Sequence, residues 1–90
     1  MTVEERIRYL MSKLIVRDDA ELVRDVRGLV NIFDDNSYKG KIRDAVGWAE
    51  IYVDPKKAEA YGGREAVRGR LFQDLGTAAD IAGTLQGNPP

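Results

Sequence analysis

The segment from Tyr61 to Gly76, YGGREAVRGRLFQDLG, holds the residues whose types and spacing are most suited to chemistry. Two glycines precede three arginines, Arg64, Arg68 and Arg70, and an apolar helical pattern follows them. A helix that begins near Gly63 offers free backbone N–H groups at its positive end, and arginine adds two-pronged hydrogen bonds to a phosphate or a carboxylate. The segment therefore predicts either an anion-binding site or the start of an ordinary amphipathic helix.

The spacing of the three arginines favours the ordinary helix. On a helical wheel Arg64 and Arg68 flank one edge of the apolar stripe and Arg70 flanks the other, so the side chains do not converge. Asp74 follows Arg70 by one turn and neutralises part of its charge. The segment also lacks the lysine and the hydroxyl of a phosphate-binding loop. We expect the arginines to lay their methylene groups over the core and to keep their guanidinium groups in water, with anion binding as the alternative.

The side chains on which most enzymes rely are missing from the chain. It has no cysteine and no histidine, which removes the thiolate nucleophile, the commonest general base and the usual zinc ligands. No feature fixes a pair of carboxylates, and aspartates at helix starts are explained by capping. The stretch after Asp34 does not fit a calcium loop, because Lys39 stands where such a loop needs glycine. We expect no catalytic residue, no cofactor and no dedicated metal site.

Trp48, Tyr52 and Tyr61 are candidates for contact with another protein, since large aromatic side chains with polar tips are favoured at the centres of interfaces. Trp48 and Tyr52 lie one helical turn apart, beside the apolar stripe of their segment and not on its middle. The alternative is that they widen the core of a small domain. The pattern supports both interpretations equally.

The glycines of the C-terminal third recur at intervals of seven residues, at Gly62, Gly69, Gly76 and Gly83. On a continuous helix the last three share one face opposite the apolar stripe, where small residues let another helix approach closely. They are therefore further candidates for a contact face. The alternative is that Gly76 ends one helix and that a capping box of Thr77 and Asp80 begins the next. We expect this break, because glycines inside a helix cost about 1 kcal/mol each.

Helix starts and apolar stripes predict an all-α fold. Thr2 with Glu5 and Asp18 with Glu21 have the spacing of capping boxes, in which each side chain satisfies a free backbone N–H group of the other residue. Apolar residues at three- and four-residue intervals follow both positions. This periodicity is typical of amphipathic helices and predicts the first two.

The second half of the chain continues the helical pattern. Residues 34–40, DDNSYKG, have the composition of a loop, and a third apolar stripe then ends before Pro55. A β-hairpin near residues 33–53 is the alternative, because WAEIYVD is rich in aromatic and β-branched residues. Asp54 and Pro55 begin a short helix that two glycines stop. The last helix follows, with an apolar stripe of Val67, Leu71, Leu75, Ala78, Ala82 and Leu85.

Length and charge limit the organisation and the partners. The 90 residues form one domain, a compact bundle of four or five short helices over residues 1–86, with residues 87–90 as a flexible tail. The net charge is −1, so no overall field attracts nucleic acid or an anionic membrane. No stretch is apolar enough to cross a membrane and the N-terminus lacks the pattern of a signal peptide, so we expect a cytoplasmic protein that does not bind membranes.

These observations predict a non-enzymatic, helical protein-interaction module, such as a small accessory, adaptor or inhibitor subunit, that also self-associates as a dimer. The alternative is a protein that binds nucleic acid through a local basic surface. That surface consists of Arg64, Arg68, Arg70, Lys39, Lys41, Lys56 and Lys57.

Overall fold

The structure, a computed structural model of the chain, describes the backbone of residues 2–14, 18–30 and 36–87 and the side chains of residues 2–14, 18–29 and 40–84. Within these ranges the chain forms five α-helices and no strand, so the predicted all-α fold is confirmed. The helices are α1 (Val3–Leu14), α2 (Asp19–Val30), α3 (Asn36–Tyr52), α4 (Pro55–Ala60) and α5 (Arg64–Gly87).

The helices α3 and α5 pack along each other at the centre of the bundle. Helix α1 lies mainly against α5 and α2 mainly against α3, while the short α4 contacts both central helices. The buried side chains join into one core, and the alanines that α3 and α5 contribute to it let these two helices approach closely. The core consists of Ile7, Leu14, Leu22, Val26, Leu29, Ile42, Ala45, Ala49, Leu71, Leu75, Ala78, Ala79 and Ala82.

The first two helices begin where the capping residues predict. The Thr2 backbone N–H donates to a Glu5 carboxylate oxygen at 3.3 Å, and the Glu5 N–H donates to the Thr2 hydroxyl oxygen at 3.1 Å. Before α2, the Asp18 carboxylate accepts a hydrogen bond from the Glu21 N–H at 2.8 Å. These bonds satisfy N–H groups that have no partner inside the helix.

The third helix begins earlier than predicted. Helix α3 starts at Asn36, so the expected loop at 34–40 is wrong from residue 36 onward, and residues 34 and 35 lie outside the described residues. Asparagine and serine are only moderately unfavourable in a helix, and burial of Ile42, Ala45 and Ala49 outweighs that preference. The alternative hairpin near residues 33–53 is also wrong, because α3 continues to Tyr52.

The turn between α4 and α5 follows the prediction. The Asp54 carboxylate accepts from the N–H groups of Lys56 and Lys57 at 3.1 and 3.3 Å and caps α4. Gly62 and Gly63 have φ angles of +99° and +102°, which side chains with a Cβ rarely adopt. The two glycines therefore end α4 and lead the chain directly into α5.

Helix α5 is continuous, so the predicted break at Gly76 is wrong. The Thr77 hydroxyl donates to the carbonyl oxygen of Gln73 at 2.9 Å, within the helix, and does not cap a new one. Leu75, Ala78 and Ala79 are fully buried on both sides of the glycine, and this packing holds the helix together across it. The helix extends to Gly87, and residues 88–90 of the predicted tail lie outside the described residues.

Candidate functional site

Trp48 lies where α3, the end of α4 and α5 meet, and its side chain is half-buried against the core. The Tyr61 ring stands edge-on to the Trp48 ring, with the ring centroids 5.2 Å apart and the ring planes at 89°. The Arg70 guanidinium lies 5.0 Å from the centroid of the Trp48 ring. The negative charge on the face of an aromatic ring favours both arrangements. Trp48 is thus held by the core and by side chains from the end of α4 and from α5.

Beside this cluster the surface has an open depression of about 470 Å³, which we call the Trp48 groove. Gly47 supplies part of its floor, and an added Cβ at this position would have no atom within 4 Å. Ile51 is half-buried there but lies outside the core formed by the described residues. The groove therefore presents apolar surface that the bundle itself does not use. Its lining residues are Arg43, Asp44, Gly47, Trp48, Ile51 and Tyr61.

A partly buried carboxyl group lies next to Trp48 in the interface between α3 and α5. Burial raises the pKa of Asp74 above its ordinary value, and the negative charge of Asp44 raises it further. The positive charge of Lys41 and a hydrogen bond from Trp48 lower this pKa, but they do not cancel the effect of burial. The ionised form of Asp74 is therefore less favourable in the folded protein than in water.

Replacing Asp74 by asparagine should raise the melting temperature at neutral pH. Because the folded-state pKa is raised, the stability associated with protonated Asp74 is present below the unfolded value of about 3.8 and is lost as the pH rises through the folded value. Asparagine has nearly the same shape as aspartate but no charge. Thermal melts of both proteins from pH 3 to pH 7 should therefore diverge as the pH rises.

The control for this series is Asp80→Asn. Asp80 accepts a hydrogen bond from Arg8 at 2.7 Å on the surface, so its replacement should not raise the melting temperature. A lower melting temperature for Asp74→Asn at neutral pH would mean that Lys41 and Trp48 favour the charged form more strongly than burial disfavours it.

Arg64 binds groups of its own chain. Its Nε donates to the backbone oxygen of Tyr52 at 3.1 Å, and its Nη2 donates to the Asp19 carboxylate at 3.0 Å. The guanidinium also lies 4.2 Å from the centroid of the Tyr52 ring. One side chain thus connects the start of α5 to the end of α3 and the start of α2. Tyr52 itself is half-buried against the core.

The other two predicted anion-binding residues point to different aromatic rings. The Arg68 guanidinium lies 5.5 Å from the centroid of the Phe72 ring, and Arg70 lies over Trp48. The structure therefore does not bring Arg64, Arg68 and Arg70 together at one point. Anion binding, the alternative, is not tested by this arrangement, which resembles the expected one because each guanidinium lies over an aromatic ring.

The three glycines predicted as a contact face have different surroundings. An added Cβ at Gly76 would lie 3.9 Å from the Cε of Met11, and one at Gly83 would lie 2.7 Å from the Glu4 carboxylate. Both glycines thus face α1 of the same chain. Gly69 is exposed, and an added Cβ there would have no atom within 4 Å. Their role in contacts with another protein stays a prediction, and Gly76 and Gly83 are half-buried where Gly69 is exposed.

The sequence did not single out four residues of the groove, which are Arg43, Asp44, Gly47 and Ile51. Their position follows from the helical wheel, because Gly47 and Ile51 lie on the side of α3 opposite Ala45 and Ala49. An isoleucine on the outer side of a helix whose inner side is apolar is the pattern that would have identified the groove.

The described residues 2–14, 18–30 and 36–87 contain no group of three acidic side chains placed to hold a metal ion. Within the same residues no helix has the length and apolar character needed to cross a bilayer.

We compared the chain with protein-family models, with curated proteins and with solved structures, and none of these matches it. Its function is therefore inferred from the residues of the groove and their contacts.

Proposed function

We propose that the protein is a non-enzymatic protein-interaction module, acting as a small accessory, adaptor or inhibitor subunit, and that the Trp48 groove is its contact surface. One observation carries this proposal. Trp48 and Tyr61 form a rigid aromatic pair at the wall of an open groove, with Arg43 on its rim and Arg70 behind Trp48. Tryptophan, tyrosine and arginine are the residues most enriched at the energetic centres of protein interfaces.

The fixed position of the aromatic pair favours binding. Contacts with the core, Tyr61 and Arg70 already restrict Trp48, so a partner loses little side-chain entropy when it docks against the indole ring. Tyr61 is 46% exposed and so offers part of its side chain to a partner. Ile51 adds apolar surface, and the missing side chain of Gly47 leaves room for a group to enter. The groove therefore combines an apolar floor with a polar rim, as interfaces do.

Site-specific photo-crosslinking tests this proposal. A photoreactive phenylalanine analogue replaces Tyr61 in one variant and Tyr9 in another, and both are exposed to an extract of the protein's own cells. Tyr9, on α1, is a matched control because it is also an exposed tyrosine, with 54% of its surface accessible. We expect a crosslinked protein from position 61 and none from position 9.

The result that contradicts the proposal is equal crosslinking from both positions, or none from either.

Nucleic-acid binding, the other function considered, is tested by a mobility shift with a labelled duplex. A shift that weakens steeply with added salt would indicate phosphate contacts and would count against a protein-interaction module. The protein should leave the duplex unshifted at physiological salt.

A further inference from the structure

We infer that the partner bound at the Trp48 groove is a second copy of this chain. The two α3 helices pack antiparallel along their outer faces, and a two-fold axis passes beside Gly47. This inference rests on the proposed function, since it names the partner of that same surface. Three features of α3 support it: an open outer face, an arrangement of opposite charges about Gly47, and an apolar edge that continues to Tyr61.

The outer face of α3 has open space at both of its described glycines, Gly40 and Gly47. At about 100° per residue, Gly40, Gly47 and Ile51 lie within roughly 40° of one another. The buried residues Ala45 and Ala49 lie on the opposite side of the helix. An added Cβ at Gly40 or at Gly47 would have no atom within 4 Å, so the packing of this chain does not require glycine at either position. A neighbouring helix can therefore approach α3 closely along this face.

Opposite charges flank Gly47 in an order that matches a second copy. Arg43 and Glu50 occupy the same edge of the outer face, four residues before and three residues after Gly47. With a rise of about 1.5 Å per residue, they lie roughly 6 Å to one side of Gly47 and roughly 4.5 Å to the other along the helix. A two-fold axis at Gly47 reverses the helix direction and brings equal edges together. Arg43 of each copy then lies opposite Glu50 of the other.

The contacts that Arg43 and Glu50 make within one chain leave both residues able to form this pairing. Arg43 is exposed, and among the described residues its guanidinium has no hydrogen-bonding or ion-pair partner. Glu50 accepts a hydrogen bond from Arg27, but 47% of its side chain remains accessible. A carboxylate has lone pairs for two arginines. In the dimer each Glu50 thus receives Arg27 of its own chain and Arg43 of the second copy.

The other edge of the outer face combines apolar surface with one charge. It carries Ile51 and the exposed Asp44 and leads to the exposed ring of Tyr61, which packs on Trp48. Dimer formation removes the apolar surface of Ile51 and Tyr61 from water on both chains, which adds buried apolar area to a domain of only 90 residues. Antiparallel pairing also places the positive end of each α3 helix dipole beside the negative end of the other.

A charge-exchange series tests the dimer. Sedimentation equilibrium of the wild-type protein should report twice the 10.1 kDa monomer mass. Arg43→Glu and Glu50→Arg should each weaken the dimer at least about tenfold, because each brings like charges together twice. The double variant restores the pairing between the chains with reversed signs but loses the bond between Arg27 and Glu50, so it should bind more tightly than either single variant without reaching the wild-type affinity. Both positions are exposed, so circular dichroism should show folded protein throughout.

A second pair of variants separates steric effects from charge. Gly47→Gln places a long side chain at the axis, whereas Gly69→Gln makes the same change at an exposed helical glycine of α5, and both positions have open space around an added Cβ. Only the Gly47 variant should shift the protein toward monomer. Trp48→Ala is a poorer test, because Trp48 also packs against the core.

Three outcomes would overturn the inference: a monomer at all concentrations, a dimer that none of these variants weakens, or a double variant no tighter than the single ones. A monomer that still crosslinks another protein from position 61 overturns the second copy as partner but leaves the interaction function in place. A monomer without position-specific crosslinking overturns both.

Discussion

Replacing Leu71 by alanine should lower the free energy of unfolding by about 3 kcal/mol, because it removes buried methyl groups and leaves a cavity. Leu71 is 1% exposed and lies on α5, where the core residues of the two central helices meet. A domain of this length has a total stability of roughly 5 to 13 kcal/mol, so the loss is a large fraction of it. Each kcal/mol shifts the melting temperature of so small a domain by about 4 to 8 °C.

Urea unfolding of the variant measures this loss, with Leu10→Ala as the matched control. Leu10 is also a leucine on a helix, but it is only partly buried at the edge of the core, so its replacement should cost clearly less. Similar losses at both positions would show that α5 does not form the centre of the core.

The parts of the fold that the sequence predicts correctly are those that depend on neighbouring residues. The bonds between Thr2 and Glu5 and the capping of α4 by Asp54 join residues at most three positions apart. Their chemistry is complete within one helical turn and does not depend on how the bundle packs. The apolar stripe of α5 is equally local, because periodicity alone places Val67 and Leu71 on one face.

The wrong predictions share a different cause. Both the late start of the third helix and the break at Gly76 came from residue preferences of about 1 kcal/mol or less. In the folded protein the burial of Ile42 and Leu75, each with 0% exposure, outweighs such preferences. A local pattern cannot reveal this, because the gain depends on which helices lie against α3 and α5.

In the candidate site too, the sequence predicts what is local and misses what depends on the packing of the helices. Residue type alone identified Trp48 and Tyr61 as contact candidates, but the ring contact between them joins α3 to the turn after α4. The partners of Arg64 are equally distant in sequence, since Asp19 lies 45 positions away. Arg64, one of the three arginines considered as anion ligands, therefore connects three helices, a role that requires knowledge of their arrangement.

Replacing Gly76 by alanine should raise the free energy of unfolding by up to about 1 kcal/mol, because alanine favours a helix interior over glycine. The added Cβ would lie 3.9 Å from the Cε of Met11, an ordinary van der Waals distance, so no neighbour has to move. If α5 were broken at Gly76, the same substitution would lower the free energy of unfolding. If Gly76 ended a helix at positive φ, alanine would be strained there and the protein would lose stability.

Alanine substitutions at two further glycines serve as references for Gly76→Ala. Gly69→Ala lies in the interior of the same helix with open space around the added Cβ, so it reports the gain in helix propensity alone. Gly63→Ala introduces a Cβ at a φ angle of +102° and should cost about 1 to 3 kcal/mol. In urea unfolding, Gly76→Ala should follow Gly69→Ala and not Gly63→Ala. If it follows Gly63→Ala, α5 consists of two helices, and the packing of Leu75 and Ala79 does not carry the helix across the glycine.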